Sequence, residues 1–84
     1  MTDMMNSQMI RELIEAGLPG SEVQVFGEDG AHFEAVVIAP QFRDCALVRR
    51  HQLVYACLGD LMGQEIHALQ LSRTLTPEEA HGRS

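Results

Sequence analysis

The pattern of hydrophobic and polar positions predicts a helix followed by a hairpin in the first part of the chain. Residues 3–16 carry apolar side chains at the spacing of one helical stripe, and Gly17 favours the end of that helix. Residues 22–26 (EVQVF) alternate in polarity, and residues 31–39 (AHFEAVVIA) end in β-branched side chains, so both segments predict strands. The glycines and acidic residues at 27–30 (GEDG) predict the turn between them.

The longest helical pattern runs from Phe42 to Met62. Its apolar positions step by four, three, four and three residues along one face, which consists of Leu47, His51, Val54, Leu58 and Leu61. Asp44 is the predicted N-cap of this helix, and Gly63 is its predicted end.

A third strand and a short helical turn complete the pattern. Residues 65–71 (EIHALQL) predict the strand, and Thr76, Pro77 and Glu79 form the signature of a capping box. The order α-β-β-α-β makes the long helix a crossover, so the third strand should run parallel to the second. We therefore predict an α+β fold, with helices packed on one face of a mixed three-stranded sheet.

Composition limits the possible function classes. The chain has 84 residues, 45% of them hydrophobic, which predicts one small domain over residues 1–84 and excludes large enzyme folds. Twelve acidic and six basic side chains give a net charge of −6, and every basic residue is Arg. An acidic chain without Lys is a poor general binder of nucleic acid. The sequence shows no membrane span and no secretory signal, so we expect a cytoplasmic protein with free thiols.

A basic segment lies at the start of the long helix. Residues 42–51 contain three basic residues, Arg43, Arg49 and Arg50, and only one acidic residue, Asp44. His51 is next to Arg50 in the sequence. We expect Arg49 and Arg50 to lie away from the apolar stripe and to be exposed. Such a surface either binds phosphates or an acidic partner, or is a solvated face that offsets the acidic remainder of the chain.

Two of the four histidines are candidate metal ligands. His32 opens the second strand and His67 opens the third, so parallel strands that start at one edge would bring both imidazoles together. Two imidazoles are half of a site, which another chain would have to complete. Packing or a surface hydrogen bond is the alternative for each of them. We expect His51 in the core and His81 in the tail without a role.

The two cysteines differ in their predicted environments. Cys57 lies on the long helix and should pack as a small hydrophobic residue. Cys45 lies near the start of that helix, where a thiolate is stabilised, so it is the more reactive candidate. Neither belongs to a spaced metal-binding motif.

The residues from Phe42 onward resemble the BolA family. The segments QFRDCALVRRHQLVYACLGDLM, EIHALQL and TLTPEE are similar to its central signature, and GAHFEAVVIAPQF is similar to its second strand and loop. The resemblance covers a core of about residues 7–79 and leaves 80–84 as a frayed tail. The GEDGAHF segment resembles the IbaG-like bacterial branch, which is linked to acid stress. The resemblance implies a type II KH-like fold. The family's turn glycine corresponds to Asp44 here, and its common tryptophan corresponds to Ala80.

The resemblance also implies a function that is not enzymatic. BolA-like proteins share a two-iron two-sulfur cluster with monothiol glutaredoxins of the Cys-Gly-Phe-Ser type and bind none alone. The family's cluster ligand corresponds to His67, and the second ligand is assigned to His32 or, less favoured, to Asp29. Alone, the chain is expected to be a monomer or a weak homodimer. The alternative that the family implies is a DNA-binding transcriptional regulator for stress responses, which would use the Arg43–His51 face: Arg43, Arg49, Arg50 and His51.

Overall fold

The computed structural model describes residues 6–27, 32–63, 66 and 68–82. The helices are α1 (Ser7–Gly17), α2 (Leu47–Leu58) and the one-turn α3 (Pro77–Ala80), and the strands are β1 (Glu22–Phe26), β2 (His32–Ile38) and β3 (Ala68–Leu75). The predicted order and the predicted α+β class are confirmed. No helix in these ranges has the length and apolar character that crossing a membrane requires.

The α1 helix begins at a side-chain cap. Asn6 Oδ1 accepts a hydrogen bond of 2.9 Å from the backbone N–H of Met9, which satisfies one of the free donors of the first turn. The predicted start at residue 3 lies outside the described residues. Ile10 and Ile14 are buried, and the helix ends at Gly17 as predicted.

The sheet has the predicted mixed topology, with strand order β1-β2-β3. The β1 and β2 strands are antiparallel, and β2 and β3 are parallel. β1 has the predicted bounds, whereas β2 ends one residue before the predicted Ala39. The backbone N–H of Ala39 still donates to Leu75 O at 2.9 Å. The crossover argument from helix length therefore gave the right pairing.

The predicted bounds of the third strand, 65–71, are wrong, because β3 runs to Leu75. A register shift lies where Ala35 pairs with Leu71 and Val36 pairs with Arg73, so Ser72 is an extra residue. The Ser72 hydroxyl donates to Ala35 O at 3.1 Å, which supplies a bond at the interruption. The extra residue moves the buried side chains from odd positions such as Leu69 to even ones such as Thr74.

The helix predicted over Phe42–Met62 is three elements instead of one. A 3₁₀ turn at Pro40–Phe42 precedes α2, and a second one at Gly59–Leu61 follows it. Asp44 is not the N-cap: its φ is 62°, a left-handed conformation that Asp tolerates better than most residues. Ala46 is the residue at the N-cap position, without a side-chain bond. Gly59, with φ of 56°, ends α2 rather than Gly63.

The core lies between the helices and one face of the sheet. Its fully buried large side chains are Phe42, Ile10, Ile14, Ile66, Val37 and Val54. Leu47 was predicted on the buried stripe of α2 but is 62% exposed, since the helix begins there and its first turn projects beyond the core. The opposite face of the sheet carries exposed side chains such as Glu34, between buried Phe33 and Ala35.

The α2 helix runs beside β3, the last strand of the sheet. The Tyr55 hydroxyl donates to Leu69 O at 3.0 Å, and Arg50 Nη1 donates to Thr74 O at 2.7 Å. Because Leu75 O faces β2, where it accepts from Ala39, the neighbouring Thr74 O points away from the sheet.

The α1 and α2 helices are in close contact at Gly17. A Cβ atom placed there would lie 2.5 Å from Cys57 Sγ and 3.1 Å from Cys57 Cβ. The sulfur has little room to move, since the partly buried Cys57 thiol donates to Leu53 O at 3.3 Å. The predicted packing role of Cys57 is confirmed.

Gly17→Ala should therefore destabilise the fold by about 1–3 kcal/mol through overpacking. The measurement is chemical denaturation of the wild type, the single variants Gly17→Ala and Cys57→Ala, and the double variant. Because Cys57→Ala removes the clashing sulfur, the double variant should lose less stability than the two single losses together. Additive losses would show that the two residues do not meet.

Candidate functional site

The two strands that carry the candidate ligands begin side by side. His32 is the first residue of β2, is exposed, and pairs in register with Ala68, the first residue of β3. His67 immediately precedes Ala68 in the sequence but lies outside the described residues, as does Asp29. The premise that both strands start at one edge is thus confirmed, and the assignment of ligands stays a prediction.

Of the two cysteines, Cys57 is the poorer candidate to complete a metal site. The Cys57 thiol is partly buried against Gly17, and burial raises its pKa, so it stays protonated at neutral pH. The Cys45 thiol donates to Gln41 O at 3.5 Å. Within the described ranges, no three Cys, His, Asp or Glu side chains form a group that could hold a metal ion. The exposed imidazole of His32 fits a partial donor set, of the kind that a second chain must complete.

Arg50 was predicted to be exposed, and this is wrong. Its side chain is 13% exposed, and its guanidinium lies 5.8 Å from the centre of the Phe42 ring. Nε donates to Cys45 O at 2.9 Å, while Nη1 donates to Thr74 O at 2.7 Å and to Glu79 Oε1 at 2.8 Å. Helical spacing correctly places Arg50 away from the apolar stripe of α2. The prediction of exposure failed because that side of the helix faces the end of β3 and Glu79, which the helix pattern does not show.

Arg43 is also paired with a carboxylate, at the surface. Its Nε lies 3.0 and 3.1 Å from the two oxygens of Glu78, and its Nη2 lies 2.6 Å from Glu78 Oε2. The two side chains are 52% and 45% exposed. This is a fork-on-carboxylate pair in solvent, and water screens its contribution to stability.

The predicted capping box at the start of α3 is confirmed. Thr76 Oγ1 accepts from the Glu79 N–H at 3.1 Å, and Glu79 Oε1 accepts from the Thr76 N–H at 2.9 Å. The same carboxylate accepts from Arg50, so the cap and the ion pair share one side chain. The hydrogen bonds from Arg43 and Arg50 lower the pKa values of Glu78 and Glu79, respectively, to about 2.

Arg49 is the exposed cation of the predicted basic face. Its Nη1 lies 3.4 Å from Gln52 Oε1, and no carboxylate partner appears for it among the described residues. Beside it, Leu47 and Val48 are 62% and 66% exposed. His51 is half-buried rather than a full core residue. The predicted face therefore separates into one guanidinium without a carboxylate partner in the described ranges and two that carboxylates hold.

His81 has a partner that the sequence did not indicate. Its Nε2 lies 3.8 Å from Glu22 Oε2, and both side chains are more than half exposed. Glu22 pairs with Ile38, the last residue of β2, so His81 lies at the opposite end of that strand from His32. The contact is ionic only when the imidazole is protonated, and it is separate from the candidate ligands.

The sequence model of the BolA-like protein family matches residues 6–79 of this chain. The chain belongs to the BolA family. A BolA protein homologue from Coxiella burnetii has a similar structure, with a TM-score of 0.81 and 43% identity, over 93% of this chain and 99% of that one. The BolA fold is thus shown, and the KH-like comparison stays a prediction.

Two curated relatives extend the comparison of this BolA-like chain. A protein encoded in the rpoN-murA intergenic region of Acinetobacter guillouiae is 37% identical over 76 residues, which cover 89% of each chain. The DNA-binding transcriptional regulator BolA of Haemophilus influenzae is 39% identical over 49 residues. That match covers 58% of this chain and 47% of the Haemophilus protein, so the chain spans about half the length of some curated relatives it matches.

The depressed pKa values of Glu78 and Glu79 predict that acid weakens the fold. Both carboxyls titrate near 4.5 when unpaired and at about 2 when paired. The unfolded chain therefore binds their protons first, and the stabilisation is present above about 4.5 and lost as the pH falls through about 2. We expect Glu78→Gln/Glu79→Gln to lower Tm near neutral pH and to converge with the wild type in strong acid.

Thermal unfolding followed by circular dichroism over this pH range measures the effect. Glutamine at residue 79 still suits a capping box, so the variant mainly removes charge. A Tm difference that is the same at all pH values would contradict the assignment of the stabilisation to these ion pairs.

Proposed function

We propose that this BolA-like chain is a non-enzymatic adaptor that shares a two-iron two-sulfur cluster with a monothiol glutaredoxin. The supporting observation is the parallel start of β2 and β3, which pairs His32 with the residue after His67. In this proposal His67 is one ligand and His32 is the second, with Asp29 the less favoured choice. The chain holds no cluster alone, and the glutaredoxin contributes the thiolate.

The chemistry of the donors supports a shared site over one made by this chain alone. Imidazole ligation raises the potential of such a cluster relative to an all-thiolate one. The role of this chain is to present imidazole nitrogen donors from the edge of the sheet at which β2 and β3 begin. The Cys57 thiol, kept protonated by burial, does not compete with them. A cytoplasmic location and membership of the IbaG-like branch belong to the same proposal.

The cluster proposal predicts a spectroscopic change on mixing. When this protein is added to a cluster-loaded monothiol glutaredoxin, the visible absorption and circular dichroism should change because imidazole replaces a sulfur ligand. His67→Ala should abolish the change, and His32→Ala should reduce it. Iron and sulfide counted on the anaerobically purified complex give the stoichiometry.

His81→Ala is the matched control, because His81 is exposed and lies at the other end of β2 from His32. It should behave as the wild type. If His67→Ala also retains the full change, the ligand assignment is wrong. If wild type and glutaredoxin show no change and do not co-purify, the adaptor function is wrong.

DNA binding is the second candidate function. The name of the Haemophilus relative describes DNA binding and transcriptional regulation, and exposed Arg49 is the feature of this chain that favours this function. Arg43 and Arg50 of the predicted face are already held by Glu78 and Glu79. The surface that remains for phosphate contact is narrow, and the net charge of −6 opposes association.

The salt dependence of binding tests this candidate. One phosphate contact gives a log–log slope of about −0.9 for duplex DNA, so a face reduced to Arg49 should give a slope near this value. Arg49→Ala should remove the dependence, whereas the matched Arg11→Ala, on α1, should keep it. Absence of binding in low salt would rule this function out.

A further inference from the structure

The carboxylate of Glu78 binds the guanidinium of Arg43, which would otherwise be available to a phosphate. Arg43 makes three donor–acceptor contacts with Glu78, of 3.0, 3.1 and 2.6 Å, in the planar fork geometry that Arg also uses toward phosphates. Both partners are about half exposed, so a solvent-borne anion can approach the same group. Glu78 thus contacts Arg43 in the way that a bound anionic ligand would, although it belongs to the same chain.

The neighbouring pair, Arg50–Glu79, is held more firmly than the Arg43–Glu78 pair. Arg50 is 13% exposed and is fixed by Cys45 O and Thr74 O in addition to Glu79. Glu79 is fixed in turn by the capping box with Thr76. The α3 turn therefore stays attached when the Arg43–Glu78 pair opens. Glu78 is thus the partner that an anion can displace, whereas the Arg50–Glu79 pair keeps α3 in place.

We propose that Glu78 is a built-in competitor that masks Arg43 from DNA phosphates, so that displacing this carboxylate adds a second phosphate contact to the one that Arg49 makes. The inference rests on the second candidate function above. In this proposal the Arg-rich segment of an acidic protein gains a phosphate contact at Arg43 only when the carboxylate is displaced. The Arg43–Glu78 pair is opened by a competing polyanion and not by protonation, because Glu78 has a pKa of about 2 and stays ionised at higher pH.

The test compares Glu78→Gln with Glu34→Gln in binding to a short DNA duplex as the salt concentration is varied. Both variants remove one negative charge, but Glu34 lies exposed on the face of β2 away from the helices. Glu78→Gln should bind about two- to fivefold more tightly in low salt, the range expected for release of one exposed ion pair. Its log–log slope should become more negative by about 0.9.

The double variant Arg43→Gln/Glu78→Gln identifies the group that gains the contact. It should lose both the added affinity and the added slope, which a general effect of net charge would retain. Far-UV circular dichroism checks that α3 and the rest of the fold persist in each variant. Tighter binding by Glu78→Gln than by Glu34→Gln, lost in the double variant, supports the mask.

The outcomes separate this inference from the function on which it rests. If Arg49→Ala abolishes DNA binding while Glu78→Gln equals Glu34→Gln in affinity and slope, DNA binding stands and the mask is wrong. If neither the wild type nor Glu78→Gln binds the duplex in low salt, both are wrong.

Discussion

The guanidinium of Arg50 ties together parts of the chain that are far apart in sequence. A charge that is largely removed from solvent needs partners on every side, and Arg50 finds them in the loop before α2, in β3 and in α3. The same guanidinium also lies over the ring of Phe42, which belongs to the core. The one-turn α3 is too short to be stable alone, so this ion pair and the capping box hold it in place.

How far the sequence predicts the fold depends on whether a pattern is local. The bounds of β1 and the capping box at Thr76 follow from adjacent residues, and both are confirmed. The end of β3 could not be predicted from the sequence, because the alternation of buried and exposed side chains breaks at Ser72. This extra residue changes which side of the strand is buried. The single helix predicted over Phe42–Met62 failed for a related reason: periodicity does not show the left-handed turn at Asp44.

The arrangement of the strands around the candidate site was predictable, whereas the ion pairs of the predicted basic face were not. Parallel strands follow from the crossover helix, and this places the start of β2 beside the start of β3. The pairing of Arg43 with Glu78 and of Arg50 with Glu79 joins residues 35 and 29 positions apart, a distance at which spacing carries no information. A count of charges within residues 42–51 therefore overstated how many cations that surface offers.

The side chains of α2 that bond to β3 also affect how the sheet meets other molecules. An edge strand normally presents unpaired backbone groups that recruit further strands, which is a route to aggregation. Here Arg50 covers the outward Thr74 O, and the Tyr55 hydroxyl bonds to Leu69 O near the start of the same strand. Strand addition at β3 would first have to break a charged hydrogen bond and move the helix. The arginine that anchors α3 thus also opposes intermolecular β-pairing at the Thr74 end of this strand.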